Sequence, residues 1–328
     1  MNVFEFLGYP ADHRPKNKVV QLVKHWDEVP ESRKLYPYYA QVKKDGVFGI
    51  VVVTKDDDGN IAVAVFGRTG EQLSNTEAIC SRFLEGYIAE GIYIGEVLTQ
   101  APCSLEELSG ILNPNRVNKL DINQEVIKWN LYIALHDCLT KKMFIAGTSA
   151  GISYHTRHAS LMKRIAGTDL EESALSYTVI HDDHQKEQFT KACIAAGEEG
   201  AVYKRPGCEW EAGHKGWHQM KEVREVTYDL KCVDYEEGSG KYKGKVANLI
   251  FQWKGGDTIK AMLGKGYTHA DAEKMFIAIT KLGYFDGEHL ESPIGKVFRI
   301  RGLQDSSKGK IRLPKVQEER HDKSEGDF

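Results

Sequence analysis

A chain of 328 residues, 41% hydrophobic and 28% charged, has material for one large core or two unequal ones. No apolar run approaches the ~18 residues of a membrane span, and Met1-Asn2-Val3-Phe4-Glu5 lacks the basic start and apolar middle of a signal peptide, so a cytosolic protein is expected. Cys80, Cys103, Cys138, Cys193, Cys208 and Cys232 form no Cys-X-X-Cys, which argues against a disulfide framework or a zinc site, and a formal net charge of −3 argues against a protein that mainly coats nucleic acid.

The first 35 residues mix basic residues with helix-like pieces such as Val19-Val20-Gln21-Leu22-Val23-Lys24-His25-Trp26. Tyr36 to Val42 is aromatic and β-branched, Val47 to Thr54 almost wholly β-branched, and the Asp56-Asp57-Asp58-Gly59-Asn60 turn leads into Ile61 to Phe66, so three strands are expected. Between the first two lies Gln41-Val42-Lys43-Lys44-Asp45-Gly46. A lysine at a strand end, with glycine just after it, is placed to act on something held over the sheet; the plainer reading is a surface hairpin carrying an ordinary Lys-Lys-Asp.

Gly67-Arg68-Thr69-Gly70 follows, then a packing helix from about Asn75 to Glu90 with Ile79, Phe83, Tyr87 and Ile88 on one stripe. Gly91-Ile92-Tyr93-Ile94-Gly95-Glu96-Val97-Leu98 reads as a buried strand carrying one acid. A carboxylate there is costly unless it is paired, coordinated or facing a polar cleft, which makes Glu96 a site candidate. Leu131 to Leu139 is a second such strand, in which a lone His136 is as readily a core histidine as a site residue.

Asp169 to Ala174 and Asp183 to Ala196 read as helices, the latter ending at Gly197, and His181-Asp182-Asp183-His184 reads as capping and solvated charge. Glu198-Glu199-Gly200-Ala201-Val202-Tyr203-Lys204 leads into a short strand, and Trp217-His218-Gln219-Met220-Lys221 is another. Each strand brings one or two polar groups to what reads as a single face.

Around Arg224 the texture changes to short strands separated by Glu237-Gly238-Ser239-Gly240, Gly255-Gly256-Asp257 and Gly264-Lys265-Gly266, with one helix from Thr268 to Lys281 and closing strands Ile294 to Leu303 and Ile311 to Val316. Such a set suits a small Greek-key barrel of the OB type, so an α+β chain is expected with domains 1–224 and 225–328. Lys296, Arg299, Arg301, Lys308, Lys310, Arg312 and Lys315, with Asp305 the only acid between them, make a positive stripe suited to phosphate contact; a solvated strand face is the plainer alternative.

Taken in order, these pieces resemble the motif series of the ATP-dependent DNA ligases, small two-domain members of the covalent nucleotidyltransferases, from Gln41 to Lys323. Lys43-Lys44-Asp45-Gly46 resembles motif I with Lys43 as nucleophile, and Gly67-Arg68-Thr69-Gly70 the segment that touches ribose and nick phosphates. Ile94-Gly95-Glu96 is similar to motif III, and Leu135-His136-Asp137 stands where motif IIIa has an aromatic ring on adenine. Glu199-Gly200-Ala201-Val202-Tyr203-Lys204 resembles motif IV, Gln219-Met220-Lys221 motif V, and Arg320-His321-Asp322-Lys323 motif VI. Three positions depart from the pattern: Phe48 where arginine is usual, Ile94 for aspartate and Gln219 for lysine, the last leaving Lys204 and Lys221 to supply the missing charge.

The resemblance implies an adenylation domain of antiparallel sheets and helices, ATP-grasp-like, followed by an OB-fold. It implies a monomer that seals nicked duplex DNA through a lysyl-AMP. Lys43 would need its reference pKa of ~10.4 lowered, with Lys204 and Lys221 acting beside it. Glu96 and Glu199 carry the oxygen ligands that Mg²⁺ or Mn²⁺ prefers. ATP contacts would come from Gln41, Val42, Arg68, Glu96, His136, Gln219, Arg320, Asp322 and Lys323, with the Gln41 carbonyl accepting from adenine N6. DNA contacts would come from Arg68 and the basic stripe. An mRNA guanylyltransferase, an RNA ligase and a non-catalytic OB-fold nucleic-acid binder remain as alternatives.

Overall fold

The unbroken apolar run Ile50–Val53 is a strand with both faces covered, which removes the usual alternation. The computed structural model describes the chain except residues 14, 17, 56, 57, 281–283, 286, 287 and 306–308, and divides it into two units, Met1–Val223 and Arg224–Phe328.

In the first unit the strands are β1 (Leu22–His25), β2 (Tyr38–Lys43), β3 (Val47–Lys55), β4 (Ile61–Phe66), β5 (Gly91–Thr99), β6 (Leu131–Leu139), β7 (Thr178–Ile180), β8 (Gly200–Lys204) and β9 (Lys215–Val223). They form two sheets, one in the order β1-β9-β8-β2-β7 and one in the order β4-β3-β5-β6. The plainer reading of a hairpin around Lys43 does not hold: β2 and β3 lie in different sheets, Lys44-Asp45-Gly46 carries the chain from one to the other, and β3 pairs antiparallel with β4. Val19 to Trp26 is not helical either; Leu22–His25 pairs with β9, parallel to it.

The helices are α1 (Val3–Phe6), α2 (Glu77–Glu85), α3 (Leu105–Leu112), α4 (Ile122–Trp129), α5 (Lys141–Ala146), α6 (Tyr154–Ile165) and α7 (Asp183–Ala195). One face of the four-stranded sheet, with Val51, Val65, Tyr93 and Ile133, packs on Ile79 and Phe83 of α2, Ile111 of α3 and Leu161 of α6. Its other face, with Ile50, Phe66, Ile92 and Ile94, packs on Phe4, Phe144 and Trp210. The stripe read on α2 ends early: Tyr87 lies beyond the helix at φ 48° and is exposed. Residues 169–173 are turns rather than a helix. At α7 the capping reading is right, since Asp182 accepts from the Gln185 backbone N–H at 2.8 Å.

The second unit is a closed barrel, β10 (Glu225–Glu237), β11 (Val246–Gln252), β12 (Thr258–Leu263), then α8 (His269–Thr280), a ribbon of β13 (Tyr284–Phe285) and β14 (Glu288–His289), and finally β15 (Val297–Asp305) and β16 (Ile311–Glu319). The barrel order is β10-β11-β12-β16-β15, with β12 and β16 parallel. Leu230, Leu249, Phe251, Phe298 and Ile300 fill it. A five-stranded barrel with one helix between its third and fourth barrel strands is the OB arrangement. The segment after β16 lies back along β10, where Asp229 and Asp327 exchange hydrogen bonds of 2.8 and 2.7 Å.

Candidate active site

Register places the candidate residues before any side-chain contact is considered. In β2, β8 and β9 the directly opposed pairs Gln41–Val202, Lys43–Gly200, Lys204–Gln219 and Val202–Lys221 put Gln41, Lys43, Lys204, Gln219 and Lys221 on one face. The other face carries Tyr38, Ala40, Tyr203 and Met220 into a separate core. The partly buried Val42 packs its side chain against that core.

Lys43 ends β2 and donates from Nζ to Glu199 Oε2 at 2.5 Å, while the Glu199 backbone N–H donates to the Lys43 carbonyl at 3.2 Å. Gly200 makes this possible. Its φ is +150°, and a Cβ there would come within 2.2 Å of the Glu222 carbonyl oxygen, so only glycine lets β8 run this close to β9. Lys44 pairs instead with Glu198.

Glu96 stands on β5, opposite Phe48 on β3. Burial pushes its carboxyl up to about 7, against the pull of Lys43 and Arg68 and with the push of Glu199 and Asp45. Those opposing influences bring Lys43, Arg68, Glu96 and Glu199 into one electrostatic neighbourhood. The Arg68 guanidinium lies 5.4 Å over the Phe48 ring, so the position where the ligase pattern has arginine offers a ring on which another arginine rests. Ile94 is buried in the core and offers nothing polar.

His136 reaches the site through a β-bulge. The β5–β6 ladder steps from Ile94–Asp137 to Gly95–Leu135, which leaves His136 as the extra residue. A Cβ on Gly95 would meet the Ala134 carbonyl oxygen at 2.4 Å, so a side chain there would push the strands apart. His136 Nδ1 lies 3.0 Å from Lys204 Nζ. Burial, then the Lys204 charge, holds the imidazole well below its ordinary pKa, so it is neutral and Nδ1 accepts from the amine. Asp137 turns the other way, into a buried ion pair with Arg157 of α6, Nε to Oδ1 at 3.0 Å and Nη2 to Oδ2 at 3.0 Å.

Two further candidates lie inside the protein. Lys204 is 4% exposed, and burial brings its amine down to about 7 against the pull of Asp137. Gln41 is 1% exposed, its Oε1 accepting from Tyr154 Oη at 2.9 Å and its Nε2 donating to the Leu175 carbonyl at 2.8 Å. Both ends of its amide are thus engaged within the protein.

Tyr154, Arg157 and His158 of α6 are what sequence reading passed over. Ser153, which caps α6 through the Thr156 backbone N–H, was the available signal.

The basic stripe is not a bare positive face. Lys296 meets Glu291 and Glu319, Arg299 meets Glu318 at 2.6 Å and Asp229 at 3.5 Å, Arg301 meets Glu225, and Lys310 meets Asp257 at 3.3 Å. The acids come from β10, β16, the Asp257 loop and, in Glu291, the segment just before Lys296. Arg312 is partly buried on β16, and Lys308 falls outside the described residues. Arg320, Asp322 and Lys323 gather within the second unit: Arg320 binds Asp322 at 2.8 and 2.7 Å and also Asp229, while Lys323 reaches Asp229 at 2.6 Å.

Glu96 and Glu199 are hard oxygen donors facing one lysine, the kind of pair that holds Mg²⁺ when phosphates and water complete its shell. Among the described residues no group of three or more His, Cys, Asp or Glu could hold a metal by itself.

Residues 20–221 match the family model of the ATP dependent DNA ligase domain, and residues 237–320 that of the DNA ligase OB-like domain. The chain belongs to the ATP-dependent DNA ligase family. A probable DNA ligase of Mycolicibacterium paratuberculosis is 41% identical over 64 residues, 19% of this chain and 12% of that protein. The DNA ligase of Cenarchaeum symbiosum is 25% identical over 173 residues, 49% of this chain and 28% of that protein. These matches thus span less than a third of each relative's length. A solved structure from the Lig E DNA ligases has a TM-score of 0.65 at 15% identity, covering 92% of this chain and 98% of the other. The ATP-dependent DNA ligase of bacteriophage T7 in complex with ATP gives 0.50 at 17% identity, covering 91% and 97%. At such identities the likeness is one of fold.

Proposed function

We propose that this protein is an ATP-dependent DNA ligase, a monomer of the cytosol that seals 3′-hydroxyl/5′-phosphate nicks in duplex DNA through an AMP carried on Lys43. The observation that carries this reading is the Glu199 carboxylate hydrogen-bonded to a lysine that ends a strand, with the Glu96 carboxyl within reach of that lysine's charge. In the first step Lys43 Nζ attacks the α-phosphorus of ATP, a P–N bond forms, and the bond to pyrophosphate breaks. In the second the 5′-phosphate of the nick takes the AMP from lysine, and in the third the 3′-hydroxyl displaces AMP. All three are in-line phosphoryl transfers, in which the protein mainly positions groups and neutralises charge.

Attack needs a free lone pair on Lys43 Nζ, so an ammonium donating to Glu199 must first give up a proton. A divalent ion held by Glu199 and Glu96 would neutralise charge on the phosphates and compete for that carboxylate. Lys221 and Arg68 are assigned to phosphate oxygens, and Arg320, Asp322 and Lys323 to the pyrophosphate step. Arg299, Arg301, Lys296 and Lys310 reach the DNA backbone by exchanging acidic partners for phosphates, with Arg312 beside them, which makes binding salt-dependent.

Incubation with α-labelled ATP and Mg²⁺ followed by denaturing electrophoresis tests the reading. A labelled band from ATP and not GTP, then sealing of nicked duplex DNA, is expected. A band from GTP alone would make it a guanylyltransferase, sealing of RNA nicks alone an RNA ligase, and no band a nucleic-acid binder.

A further inference from the structure

Tyr154 opens α6 and is 2% exposed, yet its hydroxyl touches a different strand on each of three sides. Gln41 Oε1 on β2 and the His136 carbonyl oxygen on β6 each lie 2.9 Å from it, and Lys204 Nζ on β8 lies 3.3 Å away. The Lys204 Nζ also lies 4.6 Å from the centre of the tyrosine ring. Two of these strands belong to one sheet and the third to the other, so a single hydroxyl joins both.

Its proton accounting is restrictive. The lysine amine is a donor and the phenol oxygen takes its hydrogen bond, while the one phenolic proton must go to Gln41 or to the His136 carbonyl. The Gln41 amide is fixed at its other end by the Leu175 carbonyl, which also accepts from His158 Nε2 at 2.9 Å. The Leu175 carbonyl, which can only accept, sets which end of that amide carries the N–H, and the phenol holds its oxygen end, in a residue two positions before Lys43 on the same sheet face. It also holds the Lys204 amine against His136, at which the charge of Lys43 is felt.

We propose that Tyr154 is a positioning residue for the nucleotide-binding wall: its hydroxyl fixes the Gln41 amide and the Lys204 amine in place, so that ATP meets a preformed surface beside Lys43. This role rests on the ligase reading above. A wall that is not preformed must be ordered when nucleotide binds, which weakens binding more than it slows the attack of a lysine the hydroxyl does not touch.

The test is the rate of lysyl-AMP formation against ATP concentration for the full chain and for Tyr154→Phe. The KM for ATP should rise about tenfold, with the maximal rate changed by less than about threefold. Tyr93→Phe is the control, because that phenol is equally buried and makes its own hydrogen bonds, to Ala89 at 2.7 Å and from Arg164 at 3.2 Å, in the helix-covered core. Thermal unfolding of both variants separates stability from binding. An unchanged KM in Tyr154→Phe, or equal KM shifts in the two variants, would overturn the role. A wild-type chain that takes no label from ATP would sink the ligase reading and this role with it, whereas a labelled wild type with an unaffected Tyr154→Phe sinks the role alone.

Discussion

Lys43 Nζ and Glu199 Oε2 are 2.5 Å apart, and the next lysine, Lys44, is held by the next acid back, Glu198. The two pairs are alternatives in sequence but not in space, since Lys43 lies on the face shared with Lys204 and Lys221. Lys43→Ala should therefore abolish labelling by α-labelled ATP, and Lys44→Ala should retain it. Labelling that survives in the first variant and disappears in the second moves the nucleophile to Lys44.

Glu96 offers a pH-dependent test of site strain. A carboxyl at about 7 in the folded protein against 4.5 unfolded binds protons on folding, so its cost to stability is absent below 4.5, grows between the two values and is complete above 7. Glu96→Gln should stabilise the metal-free protein by on the order of 1 kcal/mol at pH 8, converge with wild type near 4.5, and lose lysyl-AMP formation. Denaturant unfolding across that range checks it. Equal stability at pH 8 would mean that the carboxylate is well solvated.

His136 combines a packing role with a candidate binding role. His136→Phe keeps a ring but takes from the Lys204 amine its shortest hydrogen bond, so stability should fall by about 1 kcal/mol. If the ring meets the base, that variant keeps its ATP requirement while His136→Ala raises it, stacking being worth about 1 to 3 kcal/mol. An alanine variant with wild-type ATP dependence would leave His136 as a structural partner of Lys204.

Asp229 binds Arg320 and Lys323 together. Burial pushes its carboxyl up, but Lys323, Arg320 and Arg299 outweigh that and hold it below its ordinary 3.8. Its contribution is therefore present above 3.8 and lost as the pH falls through the lowered value. Asp229→Asn should cost on the order of 2 kcal/mol at pH 7, the loss shrinking in acid. A loss that is the same at pH 7 and in acid would place the effect elsewhere than in the charge. Cutting the chain after Val316 is a poorer probe, because β16 continues to Glu319 and pairs Glu318 and Glu319 with Arg299 and Phe298.

Much of the site was legible because its signals are local. An acid inside an apolar strand marked Glu96, a lysine before glycine at a strand end marked Lys43, and an acid–glycine pair entering a strand marked Glu199. Glycine-rich turns between short strands announced the barrel. The period-2 alternation that separates Val42 from Gln41 and Lys43 was equally readable and points Val42 into the core.

What the sequence determined alone was which residue types stand at strand ends, turns and caps, because backbone preference and burial cost act within a few positions along the chain. Only the tertiary structure decided that β2 and β3 part into separate sheets, that Tyr154 ties the Gln41 amide to Lys204, and that Glu225, Glu291, Glu318 and Asp229 answer the basic residues of β15 and its flanks. Those outcomes turn on strand partners and helix packing between segments up to about a hundred residues apart, where one hydroxyl or one carboxylate changes what its neighbours can do.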